Sequence, residues 1–147
     1  MISSAFSPDG NWLAYVSNDS SREEIYVQPF PSNGTKYRIS KDRGHHPFWS
    51  PDGSELFFVP GPGQFAVVKI TTRPTFTFSD PIPLPREWNE GGPTFQRNTD
   101  ITPDGRIVGL LDASSGGAAA MASVPRVEVV LNWLEELKQR VPTKQTK

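Results

Sequence analysis

Three times the chain writes the same corner. Phe6–Asn18 reads FSPDGNWLAYVSN, Trp49–Gly61 reads WSPDGSELFFVPG and Ile101–Asp112 reads ITPDGRIVGLLD. Each is a Pro-Asp-Gly turn set between two apolar runs. The prolines, Pro8, Pro51 and Pro103, are spaced by 43 and 52 residues. Repeats of that length are the signature of stacked four-stranded units, in which each unit buries a face only against its neighbours. The corner has its own mechanism. Proline presets φ for the second position of a type I turn, aspartate suits the third, and glycine takes the left-handed conformation that closes a bulged hairpin. Asp9, Asp52 and Asp104 therefore read first as turn residues. One carboxylate per corner is far from the six or more oxygens that calcium asks for.

Between corners the chain reads as strands, rich in β-branched and aromatic residues and bounded by Gly, Pro, Asn and Ser. Expected strands are 12–17, 24–30 and 36–40 after the first corner, 55–59, 65–70 and 75–78 after the second, and 106–112 and 127–133 after the third. Many short strands at long, regular spacing point to an all-β fold built as propeller blades. The predicted units are 1–42, 43–88 and 89–133. The character changes at the end. In LNWLEELKQRV, Leu131, Leu134, Leu137 or Lys138, and Val141 fall near one helical face, and Asn132 followed by Glu135 resembles a capping box. A short C-terminal helix is predicted from residue 133, with a tail to 147.

Composition narrows the functional classes. The net charge is −1 at pH 7 and the isoelectric point is about 6.1, without the basic patch of a nucleic-acid binder. There are no cysteines, which excludes disulfides, thiolate zinc sites and a cysteine nucleophile. No apolar run approaches the roughly 20 residues of a membrane helix. The first ten residues, MISSAFSPDG, show neither a basic nor an apolar leader region. The expected location is cytoplasmic for the chain as written, and periplasmic for a fragment of a longer protein.

The run FSPDGNWLAYVSN, EIYVQPFP and WSPDGSELFF, together with the ending VEVVLNWLEELKQRVP, resembles the PD-type β-propeller repeats of TolB-like proteins. It is most similar to the C-terminal propeller of bacterial serine/threonine kinases and their stand-alone relatives. The resemblance spans nearly the whole chain. It implies a binding or sensing module and brings no catalytic residue set. Propellers of this kind have six or more blades, and this chain has three corners. An arc of three leaves two apolar faces, and twofold pairing is the commonest way for one chain to cover them. The expectation is a homodimer forming one six-bladed ring. Its partner at the channel mouth is a protein or a small molecule, with neither nucleic acid nor membrane.

By analogy with propellers, ligands are expected at the mouth opposite the corners. That assigns ligand binding to Arg43, Trp88, Arg97, Asp19 and Arg22. His45 and His46, the two histidines of the chain, are read as lying in a polar loop at that mouth, where imidazole is the natural base near neutral pH. The alternative to a pure binding module is a calcium-dependent hydrolase acting on a lactone or other ester. In that reading Glu90, Asn98 and Asp100 hold the metal, since hard oxygen ligands suit calcium, and His45 or His46 is the catalytic base. Ser50 lies nearest the histidines in sequence but stands at a turn, a strand away from them. The chain lacks a G-x-S-x-G elbow and any zincin, EF-hand, P-loop or dinucleotide fingerprint.

Overall fold

The middle third of the sequence is its most apolar part, and it forms the centre of the structure. Leu56-Phe57-Phe58-Val59 and Phe65-Ala66-Val67-Val68 are unbroken apolar runs of strand length, the pattern of strands buried on both faces. The computed structural model describes residues 3–84 and 96–110 and the backbone of 127–129. Among the described residues every regular element is a strand, no sheet closes into a barrel, and no helix is long and apolar enough to cross a membrane. The predicted C-terminal helix lies outside the described residues.

The strands form three antiparallel sheets in chain order. The first contains β1 (Ser4–Phe6), β2 (Trp12–Ser17), β3 (Glu24–Pro29) and β4 (Tyr37–Arg38), each hydrogen-bonded to the next. The second runs β5 (His45–Trp49), β6 (Glu55–Gly61), β7 (Gln64–Thr71) and β8 (Thr77–Phe78). A further short strand, β9 (Ile82–Pro83), pairs with β7 beyond β8, so two short strands share that edge. The third comprises β10 (Asp100–Ile101), β11 (Ile107–Leu110) and β12 (Val127–Val129).

Period-two alternation sends each residue of the middle sheet to one of two cores. Leu56, Phe58, Ala66, Val68 and Ile70 join Ala14, Val16, Ile25, Val27 and Ile39 of the first sheet, with Trp49 and Phe76. Phe57, Val59, Phe65 and Val67 point the other way and join Phe48, Leu84 and Ile107, with Ile101 packed against them. Each fully buried aromatic or aliphatic side chain stabilises by about 1.5–3 kcal/mol relative to exposure. These two layers therefore hold the three sheets face to face. At Gly44 the first two sheets meet so closely that a Cβ would lie 2.6 Å from Ile25 Cγ1 and 3.1 Å from Phe58 Cδ2.

The three corners superpose in their bonding. Ser7, Ser50 and Thr102 each donate a hydroxyl hydrogen bond to the corner aspartate, Asp9, Asp52 and Asp104. The same hydroxyls accept from the backbone N–H that opens the next strand, Trp12 at 3.0 Å, Glu55 at 2.9 Å and Arg106 at 3.1 Å. Gly10, Gly53 and Gly105 donate to the carbonyls of those hydroxyl residues at 2.9, 3.0 and 2.8 Å. Their φ values of 71°, 73° and 82° lie in the left-handed region that glycine occupies without a Cβ penalty. The aspartates are thus turn residues in all three corners.

Candidate functional site

The first strands of the three sheets end at the corners, and their ends converge. Ala5, Phe6 and Pro8 from the first unit, Phe48, Trp49, Ser50 and Pro51 from the second, and Arg97, Asp100, Ile101 and Pro103 from the third line one cavity of about 360 Å³. All three corner prolines are in its wall. Trp49 is fixed there because its indole N–H donates to the Ala5 carbonyl at 3.1 Å. Phe6 is 53% exposed and meets Phe30 edge-to-face at 5.0 Å. The Arg97 guanidinium lies over the Phe48 ring, 5.1 Å from its centroid, and donates to Asp100 Oδ1 at 3.2 Å. A planar cation stacked on an aromatic face and held by a carboxylate has little freedom left to lose on binding. Beside this basin, a second cavity of about 360 Å³ runs between the second and third corners, lined by Asp52, Glu55, Phe57, Asp104 and Gly105 among others. Burial, reinforced by the charge of Asp52, raises the Glu55 carboxyl above its ordinary range.

This placement corrects the expectation for Arg97 and Asp100. The expected place is the mouth opposite the corners, and both residues line the basin at the corner end. The reason is strand length. β10 has two residues, so Asp100 lies just before the corner, whereas β5 has five and places His45 at the end away from its corner.

The histidines need a second correction. The sequence predicts polar loop residues, yet both open strand β5 and are buried, His45 at 8% exposure and His46 at 3%. A local irregularity explains how two consecutive residues turn inward. The ladder between β5 and β6 shifts register between His45 and Phe48, and His46 takes a left-handed φ of 52°. The rings meet edge-to-face at 4.8 Å. Burial, then the neighbouring His46, lowers the His45 pKa to about 4. His45 is therefore neutral at pH 7, and its Nδ1 is buried without a hydrogen-bond partner among the described residues.

Of the remaining expected ligand residues, three gather at the histidine end. The loop after β2 reaches the start of β5, where Gly44 N–H donates to the Glu23 carbonyl at 2.9 Å. Arg22 lies 3.8 Å from Asp42, next to Arg43 in the chain, and Asp19 binds Lys36 at 2.8 Å. These are exposed ion pairs of small energetic weight. Trp88 and Glu90 lie outside the described residues. Asp100 already accepts from Arg97 and from the Ile101 N–H at 2.9 Å, and Asn98 Oδ1 accepts from Thr99 at 3.3 Å. No group of three or more His, Cys, Asp or Glu side chains suited to a metal ion occurs among the described residues. Ser50 Oγ is committed to its corner, donating to Asp52 at 2.6 Å, with strand β5 between it and His45.

Four aromatic or aliphatic residues of the basin, Phe6, Phe48, Trp49 and Ile101, fall outside the expected strands and outside the candidate sites. Their one signal was position, each lying one or two residues before a repeated corner. The chain matches no known protein-family model.

Proposed function

We propose that the chain is one half of a six-bladed β-propeller, three blades that pair with a second copy, and that it serves as a non-catalytic binding module. The basin at the corner end is its ligand seat. The observation that carries this reading is the convergence of three equivalent corners, with their first strands, on one cavity. That is how successive blades surround a channel. Mostly apolar walls with a few oriented polar groups are the usual make-up of a ligand pocket.

Pairing is supported by the two sides of the first sheet. One side is buried against the middle sheet. The other carries Leu13, Tyr15 and Tyr26, which share a face by register. Phe30, just past the end of β3, is 50% exposed. A blade's outer face normally rests on the next blade. Light scattering coupled to gel filtration tests the reading. The expected mass is twice the 16.3 kDa of one chain, and Leu13→Arg is expected to halve it. A monomer at tens of micromolar protein rules out ring closure by pairing.

A further inference from the structure

We infer that the basin takes a basic peptide segment, one whose aromatic or prolyl side chain fills the apolar pocket while its lysine or arginine side chains meet the acidic corners. The inference rests on the reading of the chain as a binding module and adds the chemistry of what it binds.

The walls call for an apolar occupant. Phe6, half exposed, lines a cavity together with three proline rings, Phe48, Trp49 and Ile101, and with the polar Ser50, Arg97 and Asp100. The Trp49 N–H is already satisfied by Ala5, so the indole, buried in the core between the first two sheets, asks nothing polar of a ligand. A cavity of about 360 Å³ is at the small end of ligand pockets. It suits one large side chain with its neighbouring backbone rather than a whole domain.

Charge then selects among apolar occupants. The two guanidinium groups near the basin are both compensated, Arg97 by Asp100 and Arg106 by Asp104. Asp9 and Asp52 are different. They follow the wall prolines Pro8 and Pro51 in the chain. Their hydrogen bonds come from Ser7 and Asn11, and from Ser50 and Ser54, and neither forms an ion pair among the described residues. The first two corners adjoin, since a Cβ built on Gly53 would lie 3.4 Å from Pro8 Cδ. Two uncompensated negative charges thus stand one residue outside the basin's wall, next to Pro8 and Pro51. An acidic ligand meets repulsion there, and a basic one meets attraction that also speeds its encounter.

Three dye-labelled hexapeptides test this by fluorescence anisotropy against the full chain. One has tryptophan and proline flanked by lysines, the second has the same core flanked by glutamates, and the third has lysines around an alanine core. The first is expected to bind at least ten times more tightly than either of the others, and to weaken as salt rises. Asp9→Asn with Asp52→Asn is expected to weaken it about 3- to 10-fold, the scale of two exposed charge pairs. Asparagine keeps one of the two acceptor oxygens of each corner, and a thermal melt of the variant checks that it is folded. Phe6→Ala is expected to weaken it too. Tighter binding of the glutamate peptide, lost in Phe6→Ala, overturns the charge assignment and leaves the basin as the seat. Equal binding of the alanine-core peptide overturns the apolar assignment. Absence of binding by all three at millimolar concentration overturns both the inference and the basin as ligand seat. Salt-independent binding by the unmodified protein also counts against the inference, without reliance on any variant.

Discussion

Acidification is expected to destabilise the protein through one side chain, His45. Its pKa falls from 6.5 to about 4 because the buried ring is poorly placed to hold a charge. In the unfolded chain the imidazole protonates at its ordinary value, so between the two pKa values the unfolded state binds more protons. The stability contributed by neutral His45 is therefore complete above pH 6.5. It is lost as the pH falls from there towards 4, and levels off below. A shift of this size is linked to about 3 kcal/mol in total, of which about 2 kcal/mol is lost between pH 7 and pH 5. With a urea slope of roughly 1.5–2 kcal/mol per molar for a domain of this size, the midpoint moves down by about 1 M. The assay is urea unfolding followed by tryptophan fluorescence at fixed protein concentration, from pH 7.5 to 5, on the protein and on His45→Gln. The variant is less stable at pH 7.5 but lacks this titration, so the two curves converge as the pH falls. Parallel curves over that range refute the claim that His45 is held neutral by burial.

Three further outcomes follow from the packing and the corners. Gly44→Ala is expected to cost about 1–3 kcal/mol by thermal denaturation, the range for overpacking, because its Cβ would meet Ile25 Cγ1 at 2.6 Å. Gly53→Ala at a φ of 73° is expected to cost about 1–2 kcal/mol, while Gly61→Ala, with open space around it, stays within about 0.5 kcal/mol and serves as the control in the same melts. Ser50→Ala removes a buried hydroxyl that bonds Asp52 and the Glu55 backbone, and is expected to lower stability in urea by about 1–3 kcal/mol.

The sheets were legible because their signals are local. Turn chemistry located the corners, and strand β2 begins and ends at the residues predicted for it, Trp12 and Ser17. The both-sided burial of the middle sheet was written in its unbroken apolar runs. What escaped depends on contacts between distant segments. Gly44-His45-His46 is polar and glycine-led, so it reads as a loop. It becomes a buried strand because a bulge and the close approach to Ile25 and Phe58 turn both rings inward. Likewise, nothing in the spacing of Arg97 and Phe48 announces that they stack. The fold brings the guanidinium over the ring only when the third unit packs its side chains against the second sheet. The basin was missed for the same reason. Its residues come from three units, and no single unit contains enough of it to be seen.

The outer face of the first sheet differs in kind from the two faces of the middle sheet, and the difference bears on how the molecule assembles. The middle sheet turns almost pure hydrocarbon to both neighbours, as a permanent core does. The first sheet's outer face mixes aromatic rings with charge. Tyr15 stacks on Tyr26 at 6.0 Å, Lys36 Nζ stands 5.0 Å from the centre of the Tyr26 ring, and Glu24 is sealed beneath Tyr26 and Arg38. Burial pushes the Glu24 carboxyl up, but the hydroxyls of Ser20 and Tyr26 and the charges of Arg38 and Arg22 outweigh it and hold the group below its ordinary value. Such a face satisfies its own buried carboxylate without help and tolerates water over its rings. Tyrosine and arginine are also the residues enriched where separate chains meet. A face of this make-up is stable against water and also suited to a second chain, which is what the proposed pairing requires of it.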